Sequence, residues 1–233
     1  MTSRVVFHGV PLDVAGDPAA ARAVIVVQEA FGVNDHIRDV TERFAAAGYY
    51  AVAPELFHRV GSPEVPYDNF PEAMTAMATL NKDDLSVDVG AAAGFLGEAG
   101  YRASSIGIVG YCMGGTVSFF AATLGIAGAA ASFYGGGIEA GRFGFAPLVE
   151  LAPTLRADWI GFYGDLDKGI PVEQVESLRD ALAAGDVDTE IVRYPDAEHG
   201  FHCDAREAVF NPAAAADAHR RTLDFLATHL HDR

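Results

Sequence analysis

The chain has 233 residues, of which 50% are hydrophobic, and this combination suits one α/β domain over residues 1–233 with a large buried core. Its 32 acidic residues outnumber the 16 Lys and Arg residues, and the resulting formal charge of −16 argues against binding to nucleic acid or to anionic membranes. No stretch is apolar for long enough to span a membrane, and residues 1–17 lack the apolar run of a secretory signal, so we expect a cytoplasmic protein.

Short apolar strands alternate along the chain with longer amphipathic segments, a pattern typical of a mostly parallel sheet with helices on both faces. A hairpin is predicted over 4–14, with its turn near His8 and Gly9. The other predicted strands, which bring the sheet to about eight strands, are 23–28, 50–53, 105–109, 128–134, 158–163 and 189–194. The predicted helices are 35–47, 70–80, 83–98, 113–124, 172–184 and 212–231.

The segment GYCMGG at 110–115 lies where an apolar strand meets a helix. Small residues two before and two after Cys112 are typical of a nucleophile elbow, the tight strand–turn–helix of the α/β-hydrolase fold, here with cysteine as nucleophile. The helix N-terminus favours a thiolate at this position, and the N–H of Met113 is free to stabilise an oxyanion. The alternatives are a phosphate-binding loop, whose glycine spacing differs, and a structural cysteine in a glycine-rich turn.

The acid and the base are expected after later strands of the sheet, in that order. Asp167 is the preferred acid, because Gly-x-x-Asp followed by an apolar residue and proline is the usual acid turn, and the segment GDLDKGIP at 164–171 has this pattern. Asp165 is the alternative. His199 is the preferred base, since it follows the last strand and precedes Gly200, whereas His202 is a nearby competitor. In this interpretation the imidazole takes the thiol proton, and Asp167 fixes the ring and its tautomer.

No metal and no cofactor are predicted. The two cysteines are too few for a disulfide framework, so we expect two reduced thiols, with Cys203 as a bystander. Six further histidines show no metal-ligand spacing with cysteines or carboxylates and are interpreted as surface groups: His8, His36, His58, His219, His229 and His231.

Together these segments resemble the dienelactone hydrolase family over nearly the whole chain. The resemblance rests on QEAFG at 28–32, APEL at 53–56, GYCMGG at 110–115, the acid turn, and EHGF at 198–201. It implies that Glu29 contacts the resting thiol and controls its ionisation, and that the N–H of Ala30 is the second oxyanion donor. It also implies that Phe31 and Tyr134 lie near the substrate.

The chain departs from the family in its basic residues. Family members that act on dienelactone bind its carboxylate with arginines, but Cys203 stands at one of these positions, and the predicted helix 70–80 contains no arginine. Other basic candidates in the sequence are Arg59, Lys168 and Arg206. We therefore expect a general carboxylic ester or lactone hydrolase rather than one specific for dienelactone.

The leading hypothesis is hydrolysis of a small ester or lactone through a thioacyl-enzyme, by a monomer or small homo-oligomer without nucleic-acid or membrane partners. One alternative is a cysteine amidase similar to glutamine amidotransferases. The other is a non-catalytic binding or redox protein with the same fold.

Overall fold

Eight strands form one sheet in the computed structural model, which describes residues 1–233. In chain order the strands are β1 (Ser3–Phe7), β2 (Val10–Ala15), β3 (Arg22–Val27), β4 (Tyr49–Pro54), β5 (Ile106–Tyr111), β6 (Ala129–Phe133), β7 (Asp158–Gly164) and β8 (Thr189–Tyr194). Their spatial order is β1-β2-β4-β3-β5-β6-β7-β8. Strand β2 pairs antiparallel with β1 and β4, and every other pairing is parallel. The predicted, mostly parallel α/β sheet is therefore confirmed.

The first two strands form the predicted hairpin. Its turn residues, His8 and Gly9, have positive φ angles of 49° and 86°, the backbone of a two-residue type I′ turn. In the parallel part of the sheet, every residue of β4, β5 and β6 is buried. Parallel strands covered on both faces have nearly continuous apolar sequences, which is why these strands could be located from the sequence.

The helices occupy the predicted stretches and add one short element. They are α1 (Asp35–Ala46), α2 (Phe70–Met77), α3 (Lys82–Glu98), α4 (Met113–Ala122), α5 (Leu148–Leu151), α6 (Val172–Leu182) and α7 (Pro212–His229). Helix α5 was not predicted, because four residues are too few to show a helical period. Four helices begin after an asparagine whose side chain accepts a hydrogen bond from a first-turn amide, as N-caps do: Asn34, Asn69, Asn81 and Asn211.

The carboxyl ends of the parallel strands meet at one edge of the sheet, and the candidate site lies there. Glu29 follows β3, Cys112 follows β5, Tyr134 follows β6, and Asp167 and His199 follow β7 and β8. All ten residues of α4, which begins directly after Cys112, are buried. The site therefore stands on a rigid interior helix. No helix has the length and apolar character needed to cross a bilayer.

Candidate active site

Cys112 occupies a strained turn between β5 and α4. Its φ and ψ angles are 55° and −117°, a conformation that a residue with a side chain rarely adopts. The turn requires glycine on both sides, because a Cβ atom at Gly110 would lie 1.8 Å from the carbonyl oxygen of Gly114. A Cβ atom at Gly114 would lie 2.4 Å from the carbonyl oxygen of Val27. The backbone thus has the form that the GYCMGG segment predicts.

Cys112, His199 and Asp167 form a continuous line of contacts. The Sγ atom of Cys112 lies 3.1 Å from Nε2 of His199, and Nδ1 of the same ring lies 2.6 Å from Oδ2 of Asp167. The other carboxylate oxygen, Oδ1, accepts a hydrogen bond of 2.8 Å from the N–H of Gly169. Both oxygens of Asp167 are therefore engaged, and the carboxylate has a fixed orientation toward the ring.

Asp165, the alternative acid, faces a different partner. Arg193, from β8, donates two hydrogen bonds of 2.8 Å to its carboxylate. Such a bidentate pair fixes Asp165 away from the histidine ring.

The electrostatics of His199 follow from its two neighbours. Burial lowers the pKa of this imidazole, but the charge of the Cys112 sulfur and the hydrogen bonds to Asp167 and Cys112 outweigh burial and raise the pKa to about 10. At neutral pH the ring is then an imidazolium at hydrogen-bond distance from the Cys112 sulfur. A cationic imidazole in this position is the usual partner of a nucleophilic cysteine.

Glu29 lies beneath the site and is 1% exposed. Its Oε1 accepts a hydrogen bond of 3.1 Å from the hydroxyl of Tyr134, and its Oε2 has no hydrogen-bond partner. No hydrogen bond joins Glu29 to the Cys112 sulfur, which lies 3.1 Å from Nε2 of His199, so the control of thiol ionisation by Glu29 stays a prediction. Burial and the Glu29 charge raise the pKa of Tyr134 well above its usual value, so the phenol remains a neutral donor.

Tyr134 is not among the residues that line the cavity above Cys112, and its predicted nearness to the substrate stays a prediction. It is completely buried, has a φ angle of 41°, and packs its ring 5.0 Å from that of His199. Its place is therefore behind the histidine. Phe31, the other predicted substrate neighbour, does line the cavity.

The two predicted oxyanion donors, Ala30 and Met113, follow β3 and β5. Met113 is the first residue of α4, and amides in the first turn of a helix have no intrahelical acceptor. The N–H of Ala30, in the turn after β3, makes no hydrogen bond to the backbone. Ala30 and Cys112 line the same cavity. Both amides are thus free to donate to an oxygen atom bound above Cys112.

The cavity above Cys112 has a volume of about 490 Å³ and combines apolar walls with basic groups. Its basic lining residues are Arg142, Lys168 and Arg206. None of the three forms an ion pair with a carboxylate of the chain. Two acidic residues of the lining, Asp167 and Glu198, share the cavity with them.

Of the arginines, Arg142 lines the cavity although the sequence did not single it out, whereas the candidate Arg59 does not line it. Arg142 stands in the glycine-rich loop that follows β6, with its guanidinium 4.8 Å from the ring centre of Phe143. A lone arginine in a loop after the carboxyl end of a strand was the available signal. Arg59 instead forms an ion pair of 2.7 Å with the fully buried Asp88 and is not part of the cavity lining.

Two histidines outside the predicted triad are buried, namely His36 and His202. His36 was expected on the surface, but its side chain is 0% exposed and its Nδ1 lies 3.1 Å from Oδ1 of Asp204. His202, the competitor of His199, is also buried, and the centre of its ring lies 4.9 Å from that of Tyr111. Burial lowers the pKa of His202 well below its usual value, so this ring is neutral.

Cys203 is completely buried and donates a hydrogen bond of 3.3 Å from its thiol to the hydroxyl of Tyr67. Burial and the nearby Glu29 charge raise the pKa of Cys203 to about 12, so it is a neutral thiol when nothing is bound to it.

The chain is similar in sequence and in structure to known dienelactone hydrolases. The profile of the family described as "Dienelactone hydrolase family" matches residues 12–230. The chain is 37% identical over 213 residues to a "Putative carboxymethylenebutenolidase" of Synechocystis sp., covering 89% of this chain and 86% of that protein. It is 29% identical over 219 residues to the carboxymethylenebutenolidase of Pseudomonas putida, covering 91% and 89%.

Among solved structures, the "Putative Dienelactone Hydrolase from Klebsiella pneumoniae" superposes with a TM-score of 0.86 at 33% identity, over 97% of this chain and 98% of that one. The dienelactone hydrolase-like phosphotriesterase P91, from metagenomic libraries, shares the fold with a TM-score of 0.82 at 18% identity, over 99% and 98%. The chain therefore belongs to the dienelactone hydrolase family and has the α/β-hydrolase fold.

Proposed function

We propose that this protein hydrolyses carboxylic esters or lactones through a thioester formed on Cys112. The observation that carries the proposal is the contact line from sulfur to imidazole to carboxylate, with distances of 3.1 and 2.6 Å. It lies at the base of a cavity that can hold a small molecule. The family name and the names of the relatives point to the same chemistry.

In the acylation half of the reaction, the Cys112 thiolate attacks the carbonyl carbon, and the carbonyl oxygen becomes an oxyanion. The amides of Ala30 and Met113 hold this oxyanion, and one such donor contributes about 3 kcal/mol to the transition state. The carbon–oxygen bond then breaks, and the His199 imidazolium gives its Nε2 proton to the leaving alkoxide. In a lactone the released alcohol stays attached to the acyl group.

In the deacylation half, His199 must act as a base. Once the sulfur is acylated its charge is gone, and with it a main cause of the raised pKa of His199. The ring then stays neutral at neutral pH and can take a proton from water as that water attacks the thioester. Breaking the carbon–sulfur bond releases the acid and restores the thiolate beside the imidazolium.

We further propose that the substrate carries a carboxylate. Three basic side chains without acidic partners surround the cavity, in a chain whose formal charge is −16: Arg142, Lys168 and Arg206. Arginine recognises carboxylates through paired hydrogen bonds, and a cavity wall strengthens such bonds by excluding water. The name of the Pseudomonas putida relative likewise denotes a lactone with a carboxyl group.

The test is turnover of one neutral ester and of two matched lactones, with and without a carboxylate. We expect wild-type protein to hydrolyse all three, with the highest kcat/KM for the carboxylate-bearing lactone. Cys112→Ala should lose activity toward every substrate, since the nucleophile is gone. Undiminished activity of that variant would reject the mechanism, and equal kcat/KM for the two lactones would reject the substrate class.

The sequence-based alternatives predict different outcomes in the same series. A glutamine-amidotransferase-like amidase would release ammonia from glutamine and leave the lactones intact. A binding or redox protein would turn over none of the substrates.

A further inference from the structure

Beside the triad, three buried side chains from distant parts of the chain bring metal-binding atoms together. These are Glu29, His36 and Cys203, and each supplies one ligand atom that lies within 4.8 Å of the other two. The three residues are 1%, 5% and 0% exposed. Glu29 precedes the oxyanion donor Ala30, but His36 and Cys203 have no part in the proposed mechanism.

Two of these side chains have an atom without a hydrogen-bond partner, namely Oε2 of Glu29 and Nε2 of His36. The opposite atom of each side chain is already engaged, since Tyr134 donates to Oε1 and Asp204 contacts Nδ1. Burying a carboxylate oxygen and an imidazole nitrogen without partners is costly, so both are expected to bind something. A group bound by both atoms would remove that cost.

We propose that Glu29, His36 and Cys203 bind a divalent metal ion, with Zn²⁺ as the best match. Carboxylate oxygen, imidazole nitrogen and thiolate sulfur are the donors that zinc prefers, whereas Mg²⁺ and Ca²⁺ prefer oxygen alone. Ionised Glu29 and Cys203 would together balance the charge of the ion, with the thiol losing its proton on binding. Ligand atoms in a tetrahedral zinc site are about 3.5 Å apart, so shifts of about 1 Å would close the cluster around the ion.

The surroundings of His36 support a metal-binding role. Asp204 lies 3.1 Å from Nδ1, and a carboxylate on the outer nitrogen of a ligating histidine fixes the tautomer that presents the other nitrogen to a metal. A surface depression of about 300 Å³ lies next to the site and includes His36, Asp35 and Glu64 in its lining.

The experiment titrates Co²⁺, a spectroscopic substitute for Zn²⁺, into the full-length Cys112→Ser protein, so that Cys203 is the sole thiol. We expect one ion per chain, a thiolate-to-cobalt charge-transfer band, and loss of the band when Zn²⁺ is added. A further Cys203→Ser change should abolish the band. The measurement requires no turnover, so its failure leaves the proposed hydrolase function untouched.

A second variant serves in case the buried serine disturbs folding. Asp204→Asn alters a partly exposed residue outside the ligand set, and we expect Co²⁺ binding to weaken by about tenfold or more. The matched control is His229→Gln, in a separate and more exposed cluster with Asp158 and Asp188, which should leave the affinity unchanged. Absence of the band in Cys112→Ser, or unchanged affinity in Asp204→Asn, would show that the ion is not bound as proposed.

Discussion

Replacing Asp167 with asparagine tests how the acid supports the histidine. One oxygen of Asp167 accepts a hydrogen bond from the N–H of Gly169, and the other faces Nδ1 of His199 at 2.6 Å. An asparagine has one oxygen for these two donors. If that oxygen remains on Gly169, its NH₂ group faces Nδ1 and forces the proton of the neutral ring onto Nε2, the wrong tautomer for a base.

The expected loss is large and specific to turnover. The same exchange in a Ser-His-Asp triad lowers kcat by about 10⁴, which corresponds to about 5.5 kcal/mol in the activation free energy. The pKa of His199 should also fall, because the hydrogen bond to Asp167 is one of the interactions that raise it. Folding should be largely retained, since the two side chains have nearly the same shape.

The assay is steady-state hydrolysis of a neutral ester by wild type, Asp167→Asn and the matched control Asp165→Asn, with circular dichroism to check folding. Asp165 pairs with Arg193 and does not contact His199, so its variant should retain kcat/KM within about twofold. The reasoning is wrong if Asp167→Asn retains a comparable rate, or if Asp165→Asn loses as much.

Three further changes have defined outcomes. An NMR titration should find a His199 pKa of about 10 in the resting protein and a lower pKa in Cys112→Ser. A raised pKa means that the ring stays charged at every pH below that value. Titration of His199 near pH 6.5 in both proteins would therefore contradict the ion pair. Arg142→Ala should raise KM for a carboxylate-bearing lactone by at least about tenfold and barely change the neutral ester, whereas equal effects on both would deny it a role in recognition. Gly114→Ala should lower the free energy of unfolding in urea by about 3 kcal/mol, because the added Cβ would lie 2.4 and 2.5 Å from two backbone oxygens. The control is Gly97→Ala, whose Cβ would enter open space. Equal stability of the two variants would contradict the steric argument.

The sequence was most informative where local geometry dictates residue type. The elbow could be predicted because its tight turn admits only glycine at Gly110, where a Cβ atom would lie 1.8 Å from the carbonyl oxygen of Gly114. The resulting pattern of glycines around Cys112 is visible in the sequence. The central strands could be predicted because burial on both faces makes their sequences continuously apolar. From the sequence, Asp167 could only be ranked above Asp165, because what separates them is the pairing of Asp165 with Arg193, a residue from another strand.

Features assembled from distant segments were not visible in the sequence. Arg142 lies in an irregular loop, and nothing in its neighbours shows that the loop folds over Cys112. The approach of Cys203 to His36 brings the loop between β8 and α7 to α1, and no spacing in the sequence indicates it. One signal was available, because His36 precedes Val40 by four residues and so shares the buried face of α1.

The most direct test of the central claim is to identify the acylated residue. Protein mixed rapidly with a slowly hydrolysed ester, quenched in acid and digested, should yield a peptide containing Cys112 with the added mass of the acyl group. Any adduct that forms in His199→Gln should persist for longer than in wild type, because deacylation lacks its base. An acyl group found on another residue, or steady turnover with Cys112 never modified, would contradict the account.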